Sequence, residues 1–335
     1  MRLDEFLYDL PEELIAQRPL PDRAASRLLV LDRKSRAVQH RAFRDVPDLL
    51  APGDLLVLND TRVSALRVHG ERETGGRVEA LLLTDEGGGR FVALTRPAKK
   101  LKEGERIGFK GGLSAVVEAD LGEGRKRIAF DQTDFQSRLK DVGQIPLPPY
   151  VHERLDDPER YQTVYAEHTG SAAAPTAGLH FTREVLQRLE DKGVETARVT
   201  LDVSLDTFRP ISAQEIENHT MHGERCVLPK AAADKVNACK GRVVAVGTTC
   251  VRTLESFAKG EGEVGHGEMV SKLFISPGYS FRVVDAMFTN FHMPGTTMIV
   301  LLSAFAGSEN VLGAYRAAVE ERYRFLSFGD SMLVV

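Results

Sequence analysis

Apolar and polar positions follow three different rhythms along this chain. From residue 1 to about 60, short strands and helices mix. Leu28-Leu-Val-Leu31 and residues 37–40 flank Asp32-Arg-Lys-Ser-Arg36, a pattern that predicts a hairpin. Pro52-Gly-Asp then leads into the apolar run Leu55-Leu-Val-Leu58, which stops at four polar residues, Asn59-Asp-Thr-Arg62. From about 63 to 152 the apolar runs are short (78–83, 91–94, 113–117, 127–130) and alternate with Gly75-Gly76, Gly87-Gly-Gly89 and Gly111-Gly112. Regular short strands between glycine turns, with no helical period, predict a small antiparallel barrel. Pro146-Leu-Pro-Pro149 closes that stretch as a stiff linker.

From about 153 to 335 strands and helices take turns. A strand is predicted at 196–203 and another at Arg242-Val-Val-Ala-Val-Gly247, running into a helix over 248–258. Further strands are predicted at 270–275 and 283–292. Met293-Pro-Gly-Thr-Thr297 breaks the last of these and precedes a helix over 298–305. The final helix is predicted to carry Leu312, Tyr315, Ala318 or Val319, Arg322 and Leu326 on one stripe. Strand–loop–helix repetition predicts a mixed α/β sheet with ligands at the strand ends. The expected architecture is a discontinuous larger α/β domain, residues 1–62 and 153–335, with a small β-barrel domain, 63–152, inserted into it.

Length supports two domains, because 335 residues exceed what one core usually organises. Apolar content of 42% and charged content of 27% are ordinary for a soluble globular protein. Cys226, Cys239 and Cys250 are odd in number and lack metal-ligand spacing, which points to neither a disulfide framework nor a zinc site but to a reducing, cytoplasmic compartment. The N-terminus is acidic without an apolar signal core, and no apolar run is long enough to span a membrane. The net charge is −4, yet residues 90–140 carry twelve basic against seven acidic side chains, leaving −9 on the remainder. Such a segment is either a nucleic-acid footprint or a solvated surface with lysine-rich turns, and charge alone favours the second.

The chemistry gathers where apolar runs end. Ala172-Ala-Ala-Pro-Thr-Ala-Gly-Leu-His-Phe-Thr182 is small and turn-forming, then offers one imidazole. Pro175 and Gly178 break any helix there, Thr182 is the N-cap of the next one, and Gly193 is its stop. The alternatives are a site that brings bare backbone to a polar ligand beside His180, or a tight turn around a satisfied core histidine. Gly247-Thr-Thr-Cys-Val-Arg252 places two hydroxyls and then a guanidinium in the first turns of a helix. Thr248 and Thr249 cap that helix on either reading. Arg252 and Glu255 share a face, as a surface pair or as part of a site. Asn59–Arg62 reads as an Asx turn, and Asn290-Phe-His292 as a polar strand end. No Gly-x-Gly-x-x-Gly follows a predicted strand, and no phosphate-loop lysine motif, His-Glu-x-x-His or nucleophile elbow is present.

Taken in order, these motifs resemble one family: the S-adenosylmethionine:tRNA ribosyltransferase-isomerases of queuosine synthesis. The resemblance runs from Asp9-Leu-Pro-Glu-Glu-Leu-Ile-Ala-Gln17, Ser26-Arg-Leu-Leu-Val-Leu-Asp32 and the Gly53–Arg62 run through Ile145-Pro-Leu-Pro-Pro-Tyr150 and Arg160-Tyr-Gln-Thr-Val-Tyr165. It continues over the loop at His180, Val246–Glu255, Pro277-Gly-Tyr279, Thr289–His292 and Tyr323-Arg-Phe-Leu-Ser-Phe-Gly-Asp-Ser-Met332.

The resemblance implies that S-adenosylmethionine is a consumed ribosyl donor, with no cofactor and no metal. The acceptor is the 7-aminomethyl-7-deazaguanine base at the tRNA wobble position. The product is epoxyqueuosine-tRNA, with release of adenine and methionine, from a cytoplasmic enzyme expected to be a monomer. His180, by its titration range, is the first choice of base and Asp60 the alternative. Arg252 would hold the donor's carboxylate. The binding set is completed by Arg62, Thr176, Gly178, Gly247, Thr248, Thr249, Glu255, Tyr279, Asn290 and His292, with Lys99, Lys100 and Lys102 on tRNA. One stretch departs from the family pattern: Asp202, Ser204 and Asp206 replace a histidine and two glycines, so no role rests on that histidine here. The rival readings are an RNA methyltransferase and a non-catalytic RNA-binding protein.

Overall fold

Leu55–Asn59 and Val243–Val246 are continuous apolar runs because both faces of their sheet are covered; every residue of the two strands is buried. They pair in parallel with one another. Parallel neighbours extend them on both sides, Glu195–Leu201 beside the first and Ala286–Asn290 beside the second. The structure is a computed structural model and describes residues 1–204, 207, 209–221 and 223–335. The chain divides into two compact units. Met1–Arg62, Pro148–His168 and Ala174–Val335 form the first; Val63–Leu147 and Thr169–Ala173 form the second.

The first unit is built on a nine-stranded mixed sheet. Its order is Gly267–Ser271, Glu224–Leu228, Glu195–Leu201, Leu55–Asn59, Val243–Val246, Ala286–Asn290, Ser331–Val334, Arg27–Leu31, Val38–Ala42. The four central strands are parallel, and antiparallel strands flank them. The expected hairpin forms, with Asp32 Oδ1 accepting from the amides of Lys34 and Ser35 across the turn. The helix Arg183–Asp191 starts where its cap predicts, Thr182 Oγ1 accepting from the Val185 amide at 3.2 Å. It ends before Gly193, whose φ of 85° only glycine adopts readily.

Three expectations shift. The strand predicted at 270–275 is Gly267–Ser271, and that at 283–292 shortens to Ala286–Asn290. The last helix, Ser308–Glu320, stops short of Leu326. Arg322 and Leu326 take positive φ values, 54° and 68°, and the chain folds back to place Ser331–Val334 in the sheet. No single helix among the described residues is long and apolar enough to cross a membrane.

One core lies on the face of the sheet that carries Leu28, Leu56, Leu58, Val244, Phe288 and Leu333, covered by Val185 and Leu189 of the capped helix. Phe43 is its hub. Its ring meets Phe181 edge-on at 4.8 Å between centroids, tilts against Phe288 at 5.9 Å, and stacks on His180 at 5.2 Å.

The second unit is a closed antiparallel barrel in the order Arg125–Phe130, Arg90–Arg96, Arg77–Gly87, Leu66–Arg72, Arg106–Phe109, Ser114–Gly122. Alternate residues such as Val68, Ala80, Ala93, Ile107, Ala115 and Ile128 fill its interior. Outside, carboxylates take up six of the twelve basic residues of the 90–140 segment: Arg90, Arg106, Arg125, Lys126, Arg127 and Arg138. Arg96, Lys99, Lys100, Lys102, Lys110 and Lys140 are exposed and have no ion-pair partner among the described residues.

Because Phe43 is wholly buried at the meeting point of three other rings, Phe43→Ala is expected to cost ~3–5 kcal/mol in urea-induced unfolding. A loss below ~1 kcal/mol would show that this cluster does not anchor the first unit.

Candidate functional site

Ligands of open α/β sheets sit outside the carboxyl ends of the parallel strands. Here those ends bring together segments far apart in sequence. A crevice of about 360 Å³ is walled by the loop 174–177, by Gly247, Thr248 and Thr249, and by Thr289, Asn290 and His292. The small residues are explained by crowding. A Cβ on Gly178 would collide with the Tyr165 hydroxyl and come within 2.9 Å of Thr163 Cγ2. Gly247 takes φ 87°, which turns the chain from its strand into the helix Thr248–Ser256.

Thr248 and Thr249 do not cap that helix through their side chains, contrary to expectation, because its N-cap is Gly247. Thr249 Oγ1 is instead buried on the crevice wall without a hydrogen-bond partner, and Asn290 Oδ1 is in the same condition. Buried polar atoms are nearly always paired, and an orphan costs about 1–3 kcal/mol. Two orphans on one wall mark where a polar ligand fits.

His180 lies behind this wall. Both amide hydrogens of Asn290 are spent, one on His180 Nε2 at 3.2 Å and one on the Leu326 carbonyl at 3.1 Å. Nε2 is therefore the acceptor, and the ring hydrogen sits on Nδ1, donated to Ser26 Oγ at 2.8 Å. Ser26 donates onward to the Arg23 carbonyl at 3.2 Å. Burial pushes the imidazole pKa down to about 3, and the nearby guanidiniums of Arg23 and Arg324 push the same way. The titration range that recommended His180 as a base is thus moved far from neutrality. What the ring does visibly is hold Asn290 with Oδ1 toward the crevice. His292, also at about 3 through burial, engages Thr289 Oγ1 at 2.6 Å.

Asp60 is one residue beyond Leu55–Asn59, at the same sheet edge. The Asx turn read at Asn59 is present, Oδ1 accepting from the Thr61 amide at 3.2 Å. Burial raises the Asp60 pKa, opposed by a hydrogen bond from Thr200 Oγ1 at 2.7 Å. Neither His180 nor Asp60 is among the residues that wall the crevice, and no hydrogen bond joins the two.

Arg252 is buried: Nη1 donates to Glu224 Oε2, Nη2 to the Ser271 carbonyl at 3.4 Å and Nε to the Leu273 carbonyl at 3.2 Å. Glu224 also accepts from the Ser204 amide at 2.8 Å and Thr207 Oγ1 at 2.9 Å, tying the pair to the loop beside the crevice. Arg252 and Glu255 do not pair. Glu255 accepts from the amides of Arg282, Val283 and Val284 and from the Tyr279 hydroxyl, which fixes that loop.

Thr176 lines the crevice; Arg62 is at the surface, paired with Glu159. Asp202 bridges Thr61 Oγ1 at 3.0 Å and Arg225 at 3.2 Å, whereas Asp206 lies outside the described residues. Lys99, Lys100 and Lys102 belong to the barrel unit. Sequence reasoning did not single out Ser26, Glu224, Arg23, Arg160 or Arg324. Ser26, Arg160 and Arg324 stand in the family motifs quoted above, but the partners that give Ser26 and Glu224 their roles are 154 and 28 residues away.

The family model described as queuosine biosynthesis protein matches residues 3–334. Proteins named S-adenosylmethionine:tRNA ribosyltransferase-isomerase from Symbiobacterium thermophilum and Clostridioides difficile are 52% and 48% identical, with all of both chains aligned in each case. The crystal structure of S-adenosylmethionine tRNA ribosyltransferase from Thermotoga maritima is 37% identical, covering 99% of this chain and 100% of that one, with a TM-score of 0.57. The chain belongs to this family and is an enzyme.

The two buried histidines set a sign for pH dependence. Between pH 6.5 and 3 the unfolded chain takes up protons that the folded one refuses. Stability is therefore complete above 6.5 and falls as pH drops, by up to ~1.4 kcal/mol per unit for each ring. Urea unfolding at pH 7, 6 and 5 should show this decline, and a shallower one in His180→Gln. Equal slopes would mean that His180 titrates as an ordinary imidazole.

Proposed function

We propose that this enzyme transfers and isomerises the ribosyl moiety of S-adenosylmethionine onto the 7-aminomethyl-7-deazaguanine base at the tRNA wobble position. The product is epoxyqueuosine-tRNA, and adenine and methionine are released, as a cytoplasmic reaction on tRNA. The relatives' names support the donor, the acceptor RNA and the reaction class. The observation that carries the site is the pair of orphaned atoms, Thr249 Oγ1 and Asn290 Oδ1, on a crevice walled by small residues.

In this reading the donor enters at the carboxyl edge of the parallel strands. Thr249 and Asn290 hydrogen-bond its polar groups. The first-turn amides of Thr248–Ser256, at the positive end of that helix, favour its carboxylate. Arg252 serves by fixing Glu224 and the loop it holds, rather than by gripping the donor itself. His180 is a positioning residue, its neutral ring locking the Asn290 amide. Asp60, at the same strand edge although outside the residues that wall the crevice, is the proton acceptor. Its carboxyl, lifted by burial, is better matched to proton removal beside the sulfonium than a ring with a pKa of about 3. The six unpaired basic residues of the barrel give the RNA backbone a place to bind.

Incubation with donor and precursor-bearing tRNA should release adenine and methionine in equal amounts, one of each per modified tRNA. S-adenosylhomocysteine as main product would instead identify a methyltransferase, and intact donor with bound tRNA a non-catalytic binder. In the same assay, Asp60→Asn should lower kcat by ~10²–10⁴ while the protein stays folded. Turnover within a few-fold of the parent would remove Asp60 as the base.

Reversing Lys99 and Lys100 to Glu should weaken tRNA binding and reduce the steepness of its salt dependence by roughly one for each phosphate no longer neutralised. An unchanged salt slope would mean that these lysines only solvate a turn.

A further inference from the structure

Arg23 and Arg160 line a second hollow together with Ser26 and His180, and Arg324 lies close enough to act on the same imidazole. Their guanidiniums are anchored but not neutralised. Arg23 donates to the carbonyls of Leu179 and Glu159 at 3.0 Å each. Arg160 donates to the carbonyls of Pro21 and Leu20, and Arg324 to that of Arg18. None of the three has an ion-pair partner among the described residues. The nearby carboxylates are otherwise engaged: Glu159 pairs with Arg62, and Asp330 accepts from the backbone amides of Arg27 and Arg324. Burial disfavours the charged forms of Arg23 and Arg324, and Arg160 adds to the repulsion on Arg23. Two N–H groups, Arg160 Nε and Arg324 Nη1, are buried with no acceptor.

Two cations on one hollow and a third beside the same imidazole, all held by carbonyls and with two donors left over, are an incomplete arrangement that an oxyanion completes. We propose that Arg23, Arg160 and Arg324 form a binding site for a phosphodiester group of the RNA substrate. The inference rests on the reading of the enzyme as acting on tRNA. The chemistry is that of any oxyanion, and the donor's carboxylate is the other source. The donor as a whole, however, carries a sulfonium and an ammonium, so its net charge is positive. Three guanidiniums without an ion-pair partner, only partly offset by Asp157, Glu159 and Asp330, repel it and attract a polyanion. The unused Arg160 Nε–H and Arg324 Nη1–H supply the donors. The site would also couple to the crevice: the Arg23 carbonyl, Ser26, His180 and Asn290 form one hydrogen-bonded chain from the hollow to the wall that carries the unpartnered Asn290 Oδ1.

The test measures tRNA affinity from 50 to 300 mM KCl and, separately, S-adenosylmethionine affinity by calorimetry without RNA. Parent enzyme, Arg324→Gln and Arg160→Lys are compared, and unfolding curves establish that each is folded. Arg160→Lys keeps the charge, and so remains informative where Arg324→Gln does not fold. The expected result for Arg324→Gln is tRNA binding weakened at least tenfold at low salt, a slope reduced by about 0.7–0.9, and donor affinity within twofold of the parent. Arg160→Lys should weaken tRNA binding several-fold with little change in slope, because a point charge replaces a fork. Loss of donor affinity with an unchanged tRNA slope would assign the site to the carboxylate and overturn the proposal. So would unchanged binding of both ligands in a folded variant. Adenine release by the parent enzyme is read independently. Its absence, together with a reduced tRNA slope in the variants, would reject the proposed reaction while leaving the phosphate site standing.

Discussion

A buried imidazole that cannot take up a proton organises the candidate site. His180 stacks on Phe43, and its two nitrogens are committed to Ser26 and Asn290. Burying such a ring unpaired would be costly, so its partners are not free to move. Those partners lie 154 and 110 residues away in sequence, and Asn290 also holds the Leu326 carbonyl. One ring thus joins the hairpin region, the small-residue loop, a central strand end and the C-terminal turn. The orientation of the Asn290 amide, and with it the free Oδ1, follows from the ring being neutral.

The crevice depends on close backbone approach, and the sequence meets that demand with small residues. Tyr165 and Thr163 press on Gly178, so the loop can pass beneath them only without a side chain there. Gly247 turns sharply enough to leave Thr249 facing the cavity rather than capping its own helix. The unsatisfied hydroxyl is the mark of a binding wall. Arg252, whose place in the first turns of a helix suggests a ligand, is spent on Glu224 and holds the neighbouring loop.

Charge is arranged differently in the two units. In the barrel, carboxylates of the same unit neutralise half of the local basic residues, and six exposed ones keep their charge. Exposed pairs of this kind add little stability, and unpaired lysines mainly set long-range attraction. In the larger unit three arginines are held against carbonyl oxygens, with two donors unused. The first pattern suits loose tracking of a polyanion, the second a single oriented phosphate.

The sequence by itself determined the local elements, the fold class and the family. Alternating short strands with glycine turns specified a barrel, continuous apolar runs specified buried parallel strands, and Thr182 with Gly193 bracketed a helix. Each of these depends on interactions within a few residues. The motifs, read in order, identified the family. Only the tertiary structure decided what the polar residues do. Whether Arg252 faces Glu255, a ligand or Glu224 is settled by a strand 28 residues away. That His180 is neutral follows from burial by Phe43 and its surroundings, which no local pattern encodes. That Arg23 and Arg160 line one hollow at His180, with Arg324 beside that ring, is not legible in the sequence, because the three sit at positions 23, 160 and 324. Side-chain roles depend on partners brought together by long-range packing, and their spacing along the chain carries no record of that meeting.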